Sequence, residues 1–162
     1  MEAVLAWIKS SALSQAITGY PWAWPAFETL HFIGMAMLMG VIVVIDLRIL
    51  GVLKRLSFEP LHRLLPWGIA GFIINLTTGV LFFVGDPYQY IDNIVFFYKM
   101  LFIVLAGINV LIFYKVPYRT VQNMGPGDDA PMTAKLIAAT SIFLWFGVMY
   151  LGRMLPFLGN AF

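Results

Sequence analysis

Apolar residues run in four long stretches along the chain, separated by short polar or proline-containing segments. The stretches cover about residues 25–50, 62–84, 93–115 and 132–155. Each is close to the roughly 20 residues that an α-helix needs to cross a hydrocarbon core. None alternates polar and apolar residues with a period of two, so in lipid their backbone groups are satisfied only as helices. The pattern predicts an all-α integral membrane four-helix bundle, formed as a single domain over residues 1–162.

A weaker amphipathic pattern precedes the first long stretch. Over about residues 2–18, apolar side chains such as Trp7 and Ile8 are mixed with polar ones such as Lys9 and Ser10. Such a segment is typical of a helix that lies in the membrane interface. We expect a short interfacial helix here, with the aromatic residues around Trp22 at the level of the lipid headgroups.

Composition supports a membrane protein and excludes several sites. Hydrophobic residues make up 61% of the chain and charged residues 11%, whereas charged residues alone are about 25% of an ordinary soluble domain. The chain has no cysteine, which excludes thiolate metal sites, iron–sulfur clusters and thioether-attached haem. Its basic residues are scattered at span ends, which argues against nucleic-acid binding.

The distribution of charge also predicts the orientation of the chain. Basic residues flank the first and third connections between spans, for example Arg48, Lys54 and Lys115. The middle turn carries Asp86 and Asp92 and no base. Because cytoplasmic loops are enriched in Lys and Arg, both termini are expected on the outer side.

Four polar residues are predicted to meet near the outer face. His31 and Lys99 each lie about six residues inside a span, which places both roughly 9 Å below the outer boundary. Glu28 is one turn before His31, and Arg153 is near the outer end of the fourth span. An ionisable group inside a membrane span is by default a candidate functional residue.

This set suits a haem b group. His31 could be the axial ligand to the iron, while Lys99 and Arg153 could pair with the propionates. Glu28 could accept the second N–H of the imidazole and orient the ring. The alternative for His31 is a hydrogen bond to Glu28 or a neighbouring carbonyl, and Lys99 and Arg153 could simply extend to the membrane surface.

Other residues suggest competing chemistry. Met35 and Met39 follow His31 at four-residue spacing, a set that suits Cu(I), although methionines also fill apolar cores. Quinone is a further candidate ligand. Nearer the inner face, His62 is expected to titrate at the interface or, less favourably, to ligate a second haem.

Glycines could give a haem edge room between the first two spans. They are Gly34, Gly68, Gly71 and Gly79. Small residues also promote close helix packing in lipid, and we favour packing for Gly71 and Gly79.

Several short sequence motifs of the chain resemble those of a bacterial family of four-span membrane proteins of unknown function. The resemblance covers about residues 24–157 and rests on Glu28–Thr29–Leu30–His31, Asp46–Leu47–Arg48–Ile49–Leu50–Gly51, Lys99, Ala106–Gly107–Ile108–Asn109 and Gly152–Arg153. It implies a four-span fold in the bacterial inner membrane.

The chain is also distantly similar to HemJ-type protoporphyrinogen oxidases and to the membrane part of CopD-type copper-resistance proteins. The first resemblance implies an association with haem b and functional roles for His31 and Lys99. Val95 stands where that family has an arginine one turn before the lysine.

The leading hypothesis is therefore a haem b-binding membrane protein that relays electrons near the outer face, with quinone as a redox partner. A HemJ-like porphyrinogen oxidase and a non-catalytic accessory subunit are the alternatives, and they differ in whether the protein is an enzyme. Its exposed aromatic residues also favour a homo-oligomer.

Overall fold

The computed structural model describes residues 1–158, and all the regular structure in that range is helical. Its nine helices there are α1 (Glu2–Lys9), α2 (Ala12–Gly19), α3 (Ala23–Leu50), α4 (Phe58–His62), α5 (Leu65–Gly85), α6 (Pro87–Ile91), α7 (Ile94–Lys115), α8 (Tyr118–Val121) and α9 (Met132–Met154). The predicted all-α fold is confirmed. The last four residues of the predicted domain, 159–162, lie outside the described residues.

The helices α3, α5, α7 and α9 are long and apolar enough to cross a membrane. Their bounds agree with the predicted spans to within three residues, because hydropathy marks where apolar sequence begins and ends. The end of α3 is marked by Gly51, whose φ of 92° is left-handed and whose N–H bonds to the Arg48 carbonyl. Glycine is the usual residue for this helix-ending conformation.

The N-terminal segment forms two short helices rather than the single one expected. The break falls at Ser10 and Ser11, and the Ser11 side chain accepts a hydrogen bond from Ser14 N–H at 3.2 Å, which caps α2. Lys9 Nζ donates to the Gly85 carbonyl at 2.8 Å and pairs with Asp86 at 3.2 Å. The segment is thus docked on the end of α5 that the charge distribution predicts to face outward; we call this end of the bundle the outer end and the opposite one the inner end.

The spanning helices are arranged as a row. Helix α3 packs against both α5 and α9, and α9 packs against α7, which gives the order α5, α3, α9, α7. Over the described residues α5 and α7 do not pack closely along their length. They meet through aromatic rings at the outer end, where Phe83 and Phe96 stack with centroids 6.3 Å apart.

Glycines set the close approach of α3 and α5. A Cβ added to Gly71 would lie 2.6 Å from the Gly34 carbonyl oxygen, and one added to Gly68 would lie 3.2 Å from Val41. These glycines therefore serve helix packing, as favoured for Gly71, and leave no room for a haem edge. Around Gly79 the described residues place no atom within 4 Å of such a Cβ, so this glycine packs against no other helix in that part of the chain.

At the inner end, Arg48 joins two loops that are far apart in sequence. Its side chain is fully buried, and its guanidinium donates to the carbonyls of Leu56, Asp128 and Gly125. Phe58 N–H bonds to the Met124 carbonyl at 3.0 Å and reinforces the same junction. The charge pattern indicated only that Arg48 marks the topology, whereas the structure shows that its side chain is part of the core.

Candidate functional site

His31 lies on α3 and faces α5 in the outer half of the bundle. Its Nδ1 is 2.7 Å from the Thr78 hydroxyl oxygen, and its ring lies 5.6 Å from that of Phe82, centroid to centroid. Thr78 is only 3% exposed. The ring is therefore held by a buried hydroxyl on one side and an aromatic ring on another.

The same hydroxyl indicates which ring nitrogen carries the proton. Thr78 Oγ1 donates back to the helix, to the Ile74 carbonyl at 2.8 Å or the Asn75 carbonyl at 3.2 Å. A hydroxyl has a single hydrogen, so toward His31 it acts as an acceptor. We therefore assign the proton of the neutral ring to Nδ1, which leaves a lone pair on Nε2. Nε2 has no hydrogen-bond partner among the described residues.

Lys99 is brought to this level, as the depth argument predicted. It is partly buried on α7 and close enough to His31 to act on the ring electrostatically. Its ammonium lies against the backbone of α9, since a Cβ added to Gly152 would be 3.5 Å from Lys99 Nζ. No carboxylate within the described range forms a salt bridge with Lys99.

Arg153 does not turn toward Lys99. Its side chain is exposed, and its guanidinium carbon lies 5.1 Å from the centre of the Phe157 ring. Its neighbour Gly152 is the residue that lies next to the Lys99 ammonium. Arg153 is at the expected outer end of the helix, but it points to the surface and stacks on an aromatic ring.

Glu28 is exposed on α3 and is not the partner of the His31 Nδ1. The expected hydrogen bond between these two side chains is wrong, because Thr78 occupies that position. Glu28 instead acts on Tyr90, in the turn between the second and third spans. Burial, followed by the charges of Asp86 and Glu28, raises the pKa of Tyr90 to about 12.

The methionines after His31 are part of the apolar core. Met39 is buried with Leu38, Leu144 and Trp145, and Met35 packs against the same cluster. This favours packing over copper binding. Over residues 1–158 there is also no group of three or more His, Cys, Asp or Glu side chains arranged to hold a metal ion.

An apolar groove of about 550 Å³ lies between α7 and α9 on the outer half of the bundle. Its walls include Phe102, Phe143 and Phe146, and Tyr98 and Tyr150 also line it. Neither His31 nor Lys99 lines this groove, although Lys99 follows Tyr98 in sequence.

A second polar site lies toward the inner face. Asp46, Asn109, Ser141, His62 and Tyr114 line a cavity of about 80 Å³. His62 Nε2 is 2.9 Å from the Tyr114 hydroxyl, and its ring stacks on Phe58. Because Nε2 already has a partner, the structure favours the interfacial role for His62 over ligation of a second haem.

Thr78 is the site residue whose role the sequence analysis missed. His31 is eight residues from the start of α3 and Thr78 seven residues from the end of α5, so both lie roughly 10–12 Å below the same boundary. The two helices are antiparallel neighbours. Matching these depths would have narrowed the partner to Thr77 or Thr78, and the structure shows that Thr78 is the buried one of the two.

Together these features define a membrane protein of four spanning helices, with a partly buried, oriented histidine and a lysine at the same level of its outer half. The chain belongs to a family described as a family of unknown function, DUF6644, whose model matches residues 4–158. No curated protein and no solved structure matches the chain.

Proposed function

We propose that this protein binds haem b through His31 and relays electrons near the outer face of the membrane, with quinone as its redox partner. The observation that carries the proposal is the state of the His31 ring. Its Nδ1 is bonded to a buried hydroxyl, and its Nε2 lone pair has no partner among the described residues. Histidines that ligate metals are commonly oriented through the second nitrogen in this way.

The surroundings of His31 suit a macrocycle with acidic groups better than a bare metal ion. Residues 1–158 provide no set of three ligating side chains, whereas haem supplies four of its own ligands and needs only axial ones from the protein. Lys99 is a cation without a carboxylate partner in the described range, available to a propionate. Gly79, one residue after Thr78, leaves open space on α5.

In this function the protein's own residues position the His31 ring and keep water away from it. Thr78 keeps the His31 lone pair on Nε2, and Phe82 covers the ring. Lys99 would balance negative charge at the same depth. When bound, haem b would supply a one-electron carrier. In this proposal Arg153 contacts the group only if its side chain leaves Phe157.

The groove between α7 and α9 supports the choice of quinone as the partner. It is apolar, lined by aromatic side chains and open along the lipid-facing side of the bundle. Tyr98 and Tyr150 could donate hydrogen bonds to carbonyl oxygens there, and Tyr98 adjoins Lys99 in sequence. Such a mostly apolar site with few polar groups is typical of small-molecule binding.

The haem proposal is tested by the absorbance of protein purified from haem-replete cells. We expect a Soret band that is lost in His31→Ala and retained in the matched variant His62→Ala. Thr78→Val should keep the band but weaken haem retention by about 10- to 100-fold, as loss of a partner that orients a ligand typically does. Circular dichroism and gel filtration confirm that each variant is folded.

An accessory, non-catalytic role is the competing function, and one observation favours it. The His31–Thr78 hydrogen bond joins α3 to α5 and would stabilise their packing without any cofactor. Folded wild-type protein that shows no Soret band after haem reconstitution would refute the haem proposal. If His31→Ala then lowered the stability of the α3–α5 pair, the accessory role would be supported.

We infer further that the protein lies in a bacterial inner membrane with both termini outward. The inference rests on the basic residues at the end where Arg48, Lys54 and Lys135 lie. Since the chain has no native cysteine, single cysteines at Ser10 and Gln122 can report the orientation. A membrane-impermeant maleimide should label the first in intact spheroplasts and the second only after lysis; the reverse result would invert the topology.

A further inference from the structure

The inner cavity surrounds a carboxyl group that has no charged partner among residues 1–158. Asp46 is 7% exposed, and its Oδ2 is buried without a hydrogen-bond partner. The neighbouring base Arg48 is turned away and bonded to three loop carbonyls. No salt bridge within residues 1–158 includes Asp46.

A buried carboxylate with no cation nearby is costly, so such a group takes up a proton or binds a cation. The groups that face Asp46 are few. Among the residues that line its cavity, α7 contributes Asn109 and Tyr114, α9 contributes Ser141 and Trp145, α4 contributes His62, and α5 contributes only the apolar Leu65. None of these is a carboxylate, and a single carboxylate is too few for a divalent ion, which prefers several charged oxygen ligands.

The cavity has an exit toward the inner surface. Its volume of about 80 Å³ is enough for several water molecules, since one needs roughly 10–15 Å³ by the same measure. Tyr114 and His62 both line the cavity. The hydrogen bond between the Tyr114 hydroxyl and His62 Nε2, 2.9 Å long, is exposed to solvent. A hydroxyl bonded to an imidazole is a pair that can pass a proton in either direction.

We propose that Asp46 is a proton-binding site of the membrane interior, filled from the inner aqueous side through His62 and Tyr114. A proton from solvent binds His62 Nδ1, and Nε2–H gives its proton to the Tyr114 oxygen. The Tyr114 hydroxyl proton passes through cavity water to Asp46 Oδ2. The carboxylate becomes neutral, and one proton leaves the solvent. This proposal does not depend on haem binding at His31.

Infrared spectroscopy of the full chain in nanodiscs tests the site directly. We expect the carbonyl-stretching band of a protonated carboxylic acid at neutral pH in the wild type. The band should be absent in Asp46→Asn and unchanged in Asp92→Asn, a matched exposed acid. Asp46→Glu should keep a band at a shifted frequency, which covers the case in which Asp46→Asn fails to fold.

Exchange of that proton tests the route. After transfer to D₂O, the shift of the Asp46 band should be slower by about tenfold or more in His62→Phe and Tyr114→Phe, because each removes a proton-transfer group. Exchange at the wild-type rate in both variants would overturn the route. Absence of a protonated band that depends on Asp46, or its appearance only after removal of a tightly held cation, would overturn proton binding itself.

Discussion

Replacing Arg48 with methionine should destabilise the inner end of the bundle more than replacing any exposed base. Methionine keeps much of the buried apolar volume but removes every donor. The guanidinium bonds to three carbonyls, those of Leu56, Gly125 and Asp128. The perturbation therefore isolates the polar contribution of one side chain to the junction of two distant loops.

The size of the effect follows from those bonds. A hydrogen bond to a charged group contributes about 1.5–3 kcal/mol, so three bonds would give several kcal/mol. Two of the acceptors, on Leu56 and Asp128, belong to exposed residues, and water can partly replace the lost donor. Replacing Arg48 also removes the free-energy cost of burying a charged guanidinium, and this gain offsets a further part of the loss. We expect a net loss of about 3 kcal/mol.

The assay is reversible unfolding in mixed micelles, with limited proteolysis of the loop at residues 122–131 as a local readout. Arg119→Met is the control, since Arg119 is an exposed base on α8. Arg48→Lys should fall between the wild type and Arg48→Met, because an ammonium has fewer donors and no fork geometry. If Arg48→Met and Arg119→Met agreed within about 0.5 kcal/mol, a size typical of surface changes, the reasoning on Arg48 would be refuted.

Three further predictions concern packing, capping and pH. Gly71→Ala should cost about 1–3 kcal/mol in unfolding free energy through overpacking, while Gly107→Ala, with open space around it, should not destabilise; equal effects would contradict the close approach. Asn93→Ala should cost about 1–2 kcal/mol, because its side chain caps α7 and also bonds the Leu155 carbonyl at 2.9 Å; an unchanged unfolding midpoint would contradict this. Hydrogen bonds from two lysines lower the pKa of Asp129 from 3.8 to about 2, so its stabilisation is present above pH 3.8 and lost as pH falls toward 2. Proteolysis of its loop should rise over that range in the wild type, whereas Asp129→Asn should show no such step.

The lengths and ends of the spans could be predicted because they depend on local hydropathy. For α7 the predicted range of 93–115 differs from the observed Ile94–Lys115 by one residue. The lateral order of the helices could not be predicted in this way. Helix α3 has no distinct polar and apolar sides, so its sequence does not distinguish the face toward α5 from the face toward α9.

In the candidate site, the depth of each residue in the membrane could be predicted from the sequence, but the direction of its side chain could not. The rise per residue placed His31 and Lys99 at one level, and in the structure Lys99 is near enough to act electrostatically on the His31 ring. The rise does not say which way a side chain points. Consecutive helical residues are rotated by about 100°, so Gly152 meets Lys99 while Arg153 faces the surface. The burial of Arg48 could not be predicted from the sequence either, because its hydrogen-bond acceptors lie as far as 80 positions away along the chain.

The row of helices also has a consequence for biogenesis. The protein consists of two antiparallel hairpins, α3 with α5 and α7 with α9, that are joined through α3 and α9. When the third span leaves the translocon, its main neighbour has not yet been synthesised. The third span must therefore remain in lipid or bound to a chaperone until the fourth span is inserted. Only then can the Asn93 side-chain amide donate its hydrogen bond to the Leu155 carbonyl.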